Sequence, residues 1–285
     1  MYFYHADDYG INIEQSERII DCRVNGCLNS VSIIPNSEHL DETMPLLDAD
    51  CKKAVHINLC EGKSLSDKAE IPLLVNKDGM FDKSFLKKLL LSFTQKKELE
   101  RQISDECYLQ IKKVLSYMPE GYKLRVDSHR HYHMIPSVMR GLVDAIERTG
   151  LDVEYLRLPM ERFSLYLSQP GLWPRISVVS IIKALVLDTC GAFDKKFLKS
   201  KNLWNRDVVY LGVLFTDRMF FENIDPLIRK IRSKKCYNGC DVEVQFHPGA
   251  VKKGEELLDD TFGDWYASTN REGEALALKR LGRNK

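Results

Sequence analysis

Short apolar runs alternate along this chain with longer stretches of helical period. Residues 2–4, 30–34, 54–59, 124–126, 153–156, 208–215 and 242–246 read as buried strands. Between them apolar positions recur every three or four residues. Asn12 caps a helix with Ile13, Ile19, Ile20 and Val24 on one side, ended by Asn25-Gly26. Leu99, Ile103, Cys107, Ile111, Val114, Leu115 and Met118 form a second stripe, stopped at Pro119. Val138, Leu142, Ala145 and Ile146 form a third, closed by Gly150. Further helices are predicted over 176–187, from the end of the sixth strand through Ile231, and over 270–281. This order predicts an α/β protein with a parallel sheet and helices outside. With no linker or low-complexity break, the expectation is one domain over 1–285, an irregular (β/α) barrel-like fold of about seven parallel strands. A loop-rich insertion is expected at 62–95 and a helical one at 160–206.

Composition narrows the class. Forty-two basic and 41 acidic residues leave a formal charge of +1. Neither a nucleic acid nor an anionic membrane finds an electrostatic footprint here, whereas a neutral substrate such as a sugar fits. The opening MYFYHADDYG lacks the basic and apolar regions of a signal peptide, and the longest apolar stretch, 176–182, is too short to span a bilayer. Eight scattered cysteines suit reduced thiols in the cytoplasm. Cys236 and Cys240 lack a second pair to complete a four-ligand metal site. Assembly is left open, a homodimer included.

The chemistry-bearing residues cluster at strand ends: HADDYG (5–10), HINLCEG (56–62), DSHRHYH (127–133), LRLPME (156–161) and QFHPG (245–249). Parallel α/β folds build active sites there. Of the adjacent acids Asp7 and Asp8, one can bind a cation while the other acts as general base. Neutral imidazoles suit zinc and similar ions. An Asp with two His leaves coordination positions open for catalysis. The favoured set is Asp8, His56 and His129, with His131 or His133 as alternatives to His129. In an extended segment all three of those histidines would share a face with Asp127. Asp127 is expected to support the site, Arg157 to pair with Asp7, and His247 to serve as general acid. Glu161 is either supporting or solvated. Trp173, Trp204 and Trp265 are candidates to stack on a sugar.

At these residues the sequence resembles the YdjC-like carbohydrate deacetylases, of the chitooligosaccharide deacetylase type. HADDYG resembles their double-Asp signature, H-x-N-L (56–59) their histidine motif, DSHRHYH their DSHxHxH segment and HPG (247–249) a late motif. The match runs in order through essentially the whole chain and departs only at variable positions such as Tyr9 and Arg130. It implies a barrel-like fold, a divalent metal usually described as magnesium, and removal of N-acetyl groups from sugars. It also implies Asp8, His56 and His129 as metal ligands and Asp7 as general base. By ligand chemistry alone zinc fits better, since magnesium prefers all-oxygen shells. A looser similarity to NodB-type polysaccharide deacetylases rests on Asp7-Asp8, Arg157-Leu158-Pro159 and His247, though here the two histidine ligands come from separate strands. The rival functions are a metal-dependent phosphoesterase, or other hydrolase on the same scaffold, and a non-catalytic sugar-binding protein.

Overall fold

A computed structural model describes residues 1–82, 84–204 and 206–283. Lys83 and Asn205, inside the two expected insertions, and the final Asn284 and Lys285 lie outside the described residues. Seven strands form one sheet: β1 (Tyr2–Tyr9), β2 (Ser30–Ile33), β3 (Lys52–Ile57), β4 (Leu124–Ser128), β5 (Val153–Leu156), β6 (Val208–Leu211) and β7 (Asp241–Phe246). Their order is β5-β4-β3-β2-β1-β7-β6, and every neighbouring pair is parallel. The two edges meet at a single parallel bridge, Glu161 to Tyr210. The result is a curled, incompletely closed barrel with helices around it, as the alternating pattern predicts. Because helices cover one face and the barrel interior the other, the strands are buried on both sides. From Phe3 to Tyr9 no residue of β1 exceeds 5% exposure.

Helix ends follow local chemistry. The Asn12 side chain accepts from the Gln15 backbone N–H and starts the helix Ile13–Val24. Gly150, with φ of 66°, closes the helix Pro136–Thr149, which packs against Lys96–Leu115 through the predicted stripe. The last helix runs Asn270–Arg283. No helix among the described residues is long and apolar enough to cross a membrane.

Some elements differ from expectation. β1 and β4 run further than 2–4 and 124–126, so Asp7, Asp8 and Asp127 lie within strands rather than after them. β6 stops at Leu211 rather than 215. There the backbone N–H groups of Gly212, Val213 and Leu214 all turn onto one carboxylate oxygen of Glu161. Glu161 is therefore buried and structural, not solvated. The 160–206 insertion carries a helix at Val178–Ser200, longer than 176–187, whose start is capped by Ser177. Pro174 belongs to the turn before it. The 62–95 insertion is less loop-rich than expected, since it contains the helix Phe85–Thr94, capped by Ser84. All eight cysteines are free, and Cys236 is exposed.

Candidate metal centre and active site

The C-terminal ends of β1, β3 and β4 bring Asp8, His56 and His129 together. One ligand atom from each lies within 4.8 Å of the other two. Asp8 Oδ1 is 2.9 Å from His129 Nδ1 and 3.5 Å from His56 Nε2. His56 is oriented by Asp127, whose Oδ1 lies 2.5 Å from Nδ1, so Nε2 faces the cluster. Asp8 holds its place through a left-handed backbone, φ 65°, which a non-glycine residue adopts at a cost of order 1–3 kcal/mol. Gly10 follows at φ 95°. The strained turn brings Asp8 round to His129 and Arg271, a set of partners separate from those of Asp7.

The DSHRHYH segment corrects the expectation of three histidines on one extended face. After β4 the chain enters a 3-10 turn, His129–Met134, with Arg130 at φ 53° and His131 at φ 60°. The three rings therefore take different directions. His129 reaches the cluster. His131 lines the cavity beside it. His133 packs beneath, its Nδ1 on Ser128 Oγ and its Nε2 2.8 Å from the Arg157 carbonyl. Burial pushes His131 well below the ordinary histidine range and His133 down to about 4, so both rings are neutral. Placement thus leaves His129, not His131 or His133, beside Asp8 and His56.

Asp7 faces a different set. Arg157 Nη1 lies 3.0 Å from each of its oxygens, His5 Nε2 3.2 Å away, and the Gln245 amide donates to Oδ2. Burial raises the Asp7 carboxyl, but Arg157 and His56 outweigh it and hold it down at about 2. The same guanidinium reaches Asp127 at 2.7 Å and Glu243 at 2.6 Å. His5, Asp7 and Asp127 also form a cluster of ligand-type atoms. Arg157 already supplies its positive charge, so this second group does not call for an ion. His247, at the end of β7, places Nε2 3.2 Å from Gln245 Nε2 and 4.0 Å from Asp7, with its ring edge against Trp265. Burial pushes it down to about 3.

Besides His5, which contacts Asp7, three further participants escaped the sequence reading. Arg271, in the last helix, binds Asp8 Oδ2 at 2.8 Å. Glu243, inside β7, anchors Arg157. Glu61 approaches His129 Nε2 at 3.9 Å and accepts from Tyr266. Of the tryptophans, Trp265 lines the cavity, whereas Trp173 and Trp204 pack against the core.

Two observations bear on whether an ion fits. Among the described residues, His129 Nε2 is buried without a hydrogen-bond partner. Charge is also unbalanced among the described residues: Asp7, Asp8, Asp127, Glu243 and Glu61, all buried, face three cations, Arg157, Arg271 and Lys183. That leaves two negative charges, which a divalent cation would match; uncompensated buried charge is otherwise expensive. Without a cation, Asp127 and Asp7 overcome the effect of burial and raise His56 to about 10, making a proton the substitute. One carboxylate and two imidazoles fit a divalent ion with open positions. The adjoining cavity, about 170 Å³, is lined by His56, His129, Arg130, His131, Lys183, Thr216, Gln245, His247 and Trp265.

Comparison with known proteins points the same way. A family model described as YdjC-like protein matches residues 3–280. Similar relatives include a carbohydrate deacetylase from Danio rerio, 23% identical over 96% of this chain and 90% of that protein. Another is a carbohydrate deacetylase from Thermoanaerobacter pseudethanolicus, 29% identical over 55% of this chain and 61% of that protein. Among solved structures, a protein from Enterococcus faecalis named for cellobiose-phosphate cleavage superposes with a TM-score of 0.57 at 16% identity. It covers 99% of this chain and 94% of that one, a likeness of fold.

Proposed function

The chain belongs to the YdjC-like family, and from that premise we propose that it is a metal-dependent carbohydrate deacetylase that hydrolyses the N-acetyl group of an amino sugar. The observation that carries this reading is the convergence of Asp8, His56 and His129 beside a second, separately held acid, Asp7, and a cavity histidine, His247. A divalent cation held by the first three would polarise the acetamide carbonyl and acidify water, worth several kcal/mol of barrier. Zinc suits this donor set by ligand type, and magnesium is the family resemblance's alternative.

The remaining work falls to the chain. Asp7, fixed by Arg157, His5 and Gln245, accepts a proton from the attacking water. His247 donates to the sugar nitrogen as the carbon–nitrogen bond breaks. Since burial leaves His247 neutral at physiological pH, the proton it delivers is the one the water gave up, relayed from Asp7 by way of one bridging water, because the 4.0 Å between them exceeds a hydrogen bond. One water is consumed, and acetic acid and the amine are formed, parting as acetate and an ammonium group with no net proton exchanged with solvent. The cavity is smaller than the roughly 300–1,000 Å³ of ordinary ligand sites. It therefore takes the reacting end of the substrate, with Trp265, whose ring meets His247 and Arg271, on its wall.

A phosphoesterase reading would have to rest on Arg130 and Lys183 of the cavity wall, because Arg157 and Arg271 are committed to carboxylates, and it gives the paired Asp7 and His247 no role. The test is acetate release from a panel of N-acetylated sugars, with and without chelator. Asp7→Asn and His247→Ala should each lower turnover at least about a hundredfold while sugar binding survives. Full activity in either variant, or chelator-insensitive turnover, would remove the proposal.

A further inference from the structure

The segment HINLCEG after β3 holds more than its histidine. Asn58 Oδ1 accepts from the backbone N–H groups of Cys60 and Glu61, and the Asn58 amide donates to the Glu61 carbonyl. Gln110 holds both backbone groups of Asn58, at 2.9 and 2.7 Å. Gly62 follows at φ 71°, where a Cβ would stand 2.8 Å from Asn36 Nδ2. The loop so braced keeps the Glu61 side chain buried beside His129, with Tyr266 donating to Oε1. Among the described residues the other oxygen, Oε2, is buried without a hydrogen-bond partner. An ionised carboxylate in that position is costly unless it has a further donor to meet. The proton transfers of Asp7 and His247 make no use of it.

The missing donor is on His129. Asp8 Oδ1 lies 2.9 Å from Nδ1 of that ring, so Nδ1 is the nitrogen turned to the ligand cluster. Nε2 is turned the other way, 3.9 Å from Glu61 Oε1. A neutral imidazole has one lone pair and one N–H. When the Nδ1 lone pair is given to an ion, the proton must sit on Nε2, which is itself buried without a partner among the described residues. The gap to Glu61 is about 1 Å longer than a hydrogen bond, and the terminal torsion of a glutamate is soft enough to close it. His56 carries the same device in the opposite sense: Asp127 meets Nδ1 and leaves Nε2 to face the cluster.

We propose that Glu61 is a positioning residue of the ion site: it accepts the Nε2–H of His129 and so fixes the tautomer that offers Nδ1, while Asp127 fixes the opposite tautomer of His56. The two imidazoles then bind through different nitrogens, each oriented by its own buried carboxylate. Asn58, Gln110 and Gly62 serve this end by shaping the loop that delivers Glu61. The inference rests on the metal-centre part of the proposed function and is independent of which bond is hydrolysed.

The test is zinc binding by the full, chelator-stripped chain, measured in competition with a chromophoric chelator, together with long-range proton–nitrogen NMR spectra of the zinc-loaded protein. Glu61→Gln should weaken zinc binding by about 10- to 100-fold. Tyr266→Phe removes only the hydrogen bond from Tyr266 and should leave the affinity nearly unchanged, because the oxygen it frees still meets Nε2. The wild-type spectra should show His129 protonated on Nε2 and bound through Nδ1, and His56 the reverse; they carry the test should Glu61→Gln fail to fold. Undiminished affinity in Glu61→Gln, equal losses in the two variants, or His129 bound through Nε2 each overturns the proposal. A wild type that binds neither zinc nor manganese removes the metal centre itself, and with it the proposed function. Tight binding by the wild type beside an indifferent Glu61→Gln removes only the role of Glu61.

Discussion

Arg157→Met is the substitution that probes the site's electrostatics most sharply. The change keeps the side chain's length and apolar stem but removes the one cation shared by Asp7, Asp127 and Glu243. Breaking a single buried pair costs about 3–5 kcal/mol. Carboxylates left behind can relieve part of the rest by taking up protons, so about 4 kcal/mol is the expected loss. For a chain of this size that is a fall in Tm of roughly 10 °C. The pH dependence carries more information than the magnitude. In the wild type Asp7 sits near 2, below its ordinary 3.8. Its contribution is therefore present above pH 4 and lost as pH falls toward 2, an effect of about 2 kcal/mol. Without Arg157, burial governs, and the Asp7 carboxyl moves above its unfolded value. The sign then reverses, and the variant's deficit relative to wild type grows as pH rises from 5 to 8. Urea denaturation in chelator at pH 5, 6.5 and 8 reads this directly. Arg157→Lys, a point charge unable to span three carboxylates, should fall between the two. A variant within 1 kcal/mol of wild type, or a deficit relative to wild type that narrows as pH rises over that interval, would refute the charge-sharing argument.

Two further perturbations separate the ion from the fold. Adding zinc or manganese to chelator-stripped protein should raise Tm, since a ligand at a hundred times its Kd adds about 2.7 kcal/mol, roughly 5–10 °C here. Asp8→Asn should abolish that shift; a shift of undiminished size would place the ion elsewhere. Far from the site, Asp194 is buried with one carboxylate oxygen unpartnered, and burial pushes it up to about 7 from 3.8. A raised acid is tolerated fully below its unfolded value and costs stability as pH climbs through 7. Asp194→Asn should therefore stabilise the protein more at pH 8 than at pH 5, by roughly 2–3 kcal/mol; equal effects at both pH values would contradict this.

Much of the site could be read from the chain because strand ends are marked by polar residues beside apolar runs. Asp8, His56 and His129 were found that way, as were Arg157 and His247. The geometry within DSHRHYH could not be read, because nothing in the residue types announces two left-handed residues at Arg130 and His131. An extended segment and a 3-10 turn share the same letters and send the rings to different places. Arg271 was invisible for another reason. It lies in a polar, amphipathic terminal helix where an arginine ordinarily faces solvent, and only the tertiary fold turns it onto Asp8.

Glu243 and His5 were legible in principle, by a rule that the strands themselves supply. In a sheet buried on both faces, a charged residue within a strand has no solvent to meet and must find a partner. Polar residues recur at every second position of these strands: His5 and Asp7 in β1, Arg125 and Asp127 in β4, Glu243 and Gln245 in β7. A two-residue period puts each pair on one face, and the hydrogen bonds show that face to be the barrel interior: Arg157 joins Asp7, Asp127 and Glu243 from three different strands. Asp8 is the residue that breaks the period. By alternation it would point away from Asp7, into the helical layer. Its left-handed backbone instead turns it to His129 and Arg271, while Asp7 keeps its interior position with Arg157. Two neighbouring carboxylates thereby acquire separate partners, one among the imidazoles that can hold an ion and the other within reach of a proton donor. A chain of regular alternation could not have placed both at one site.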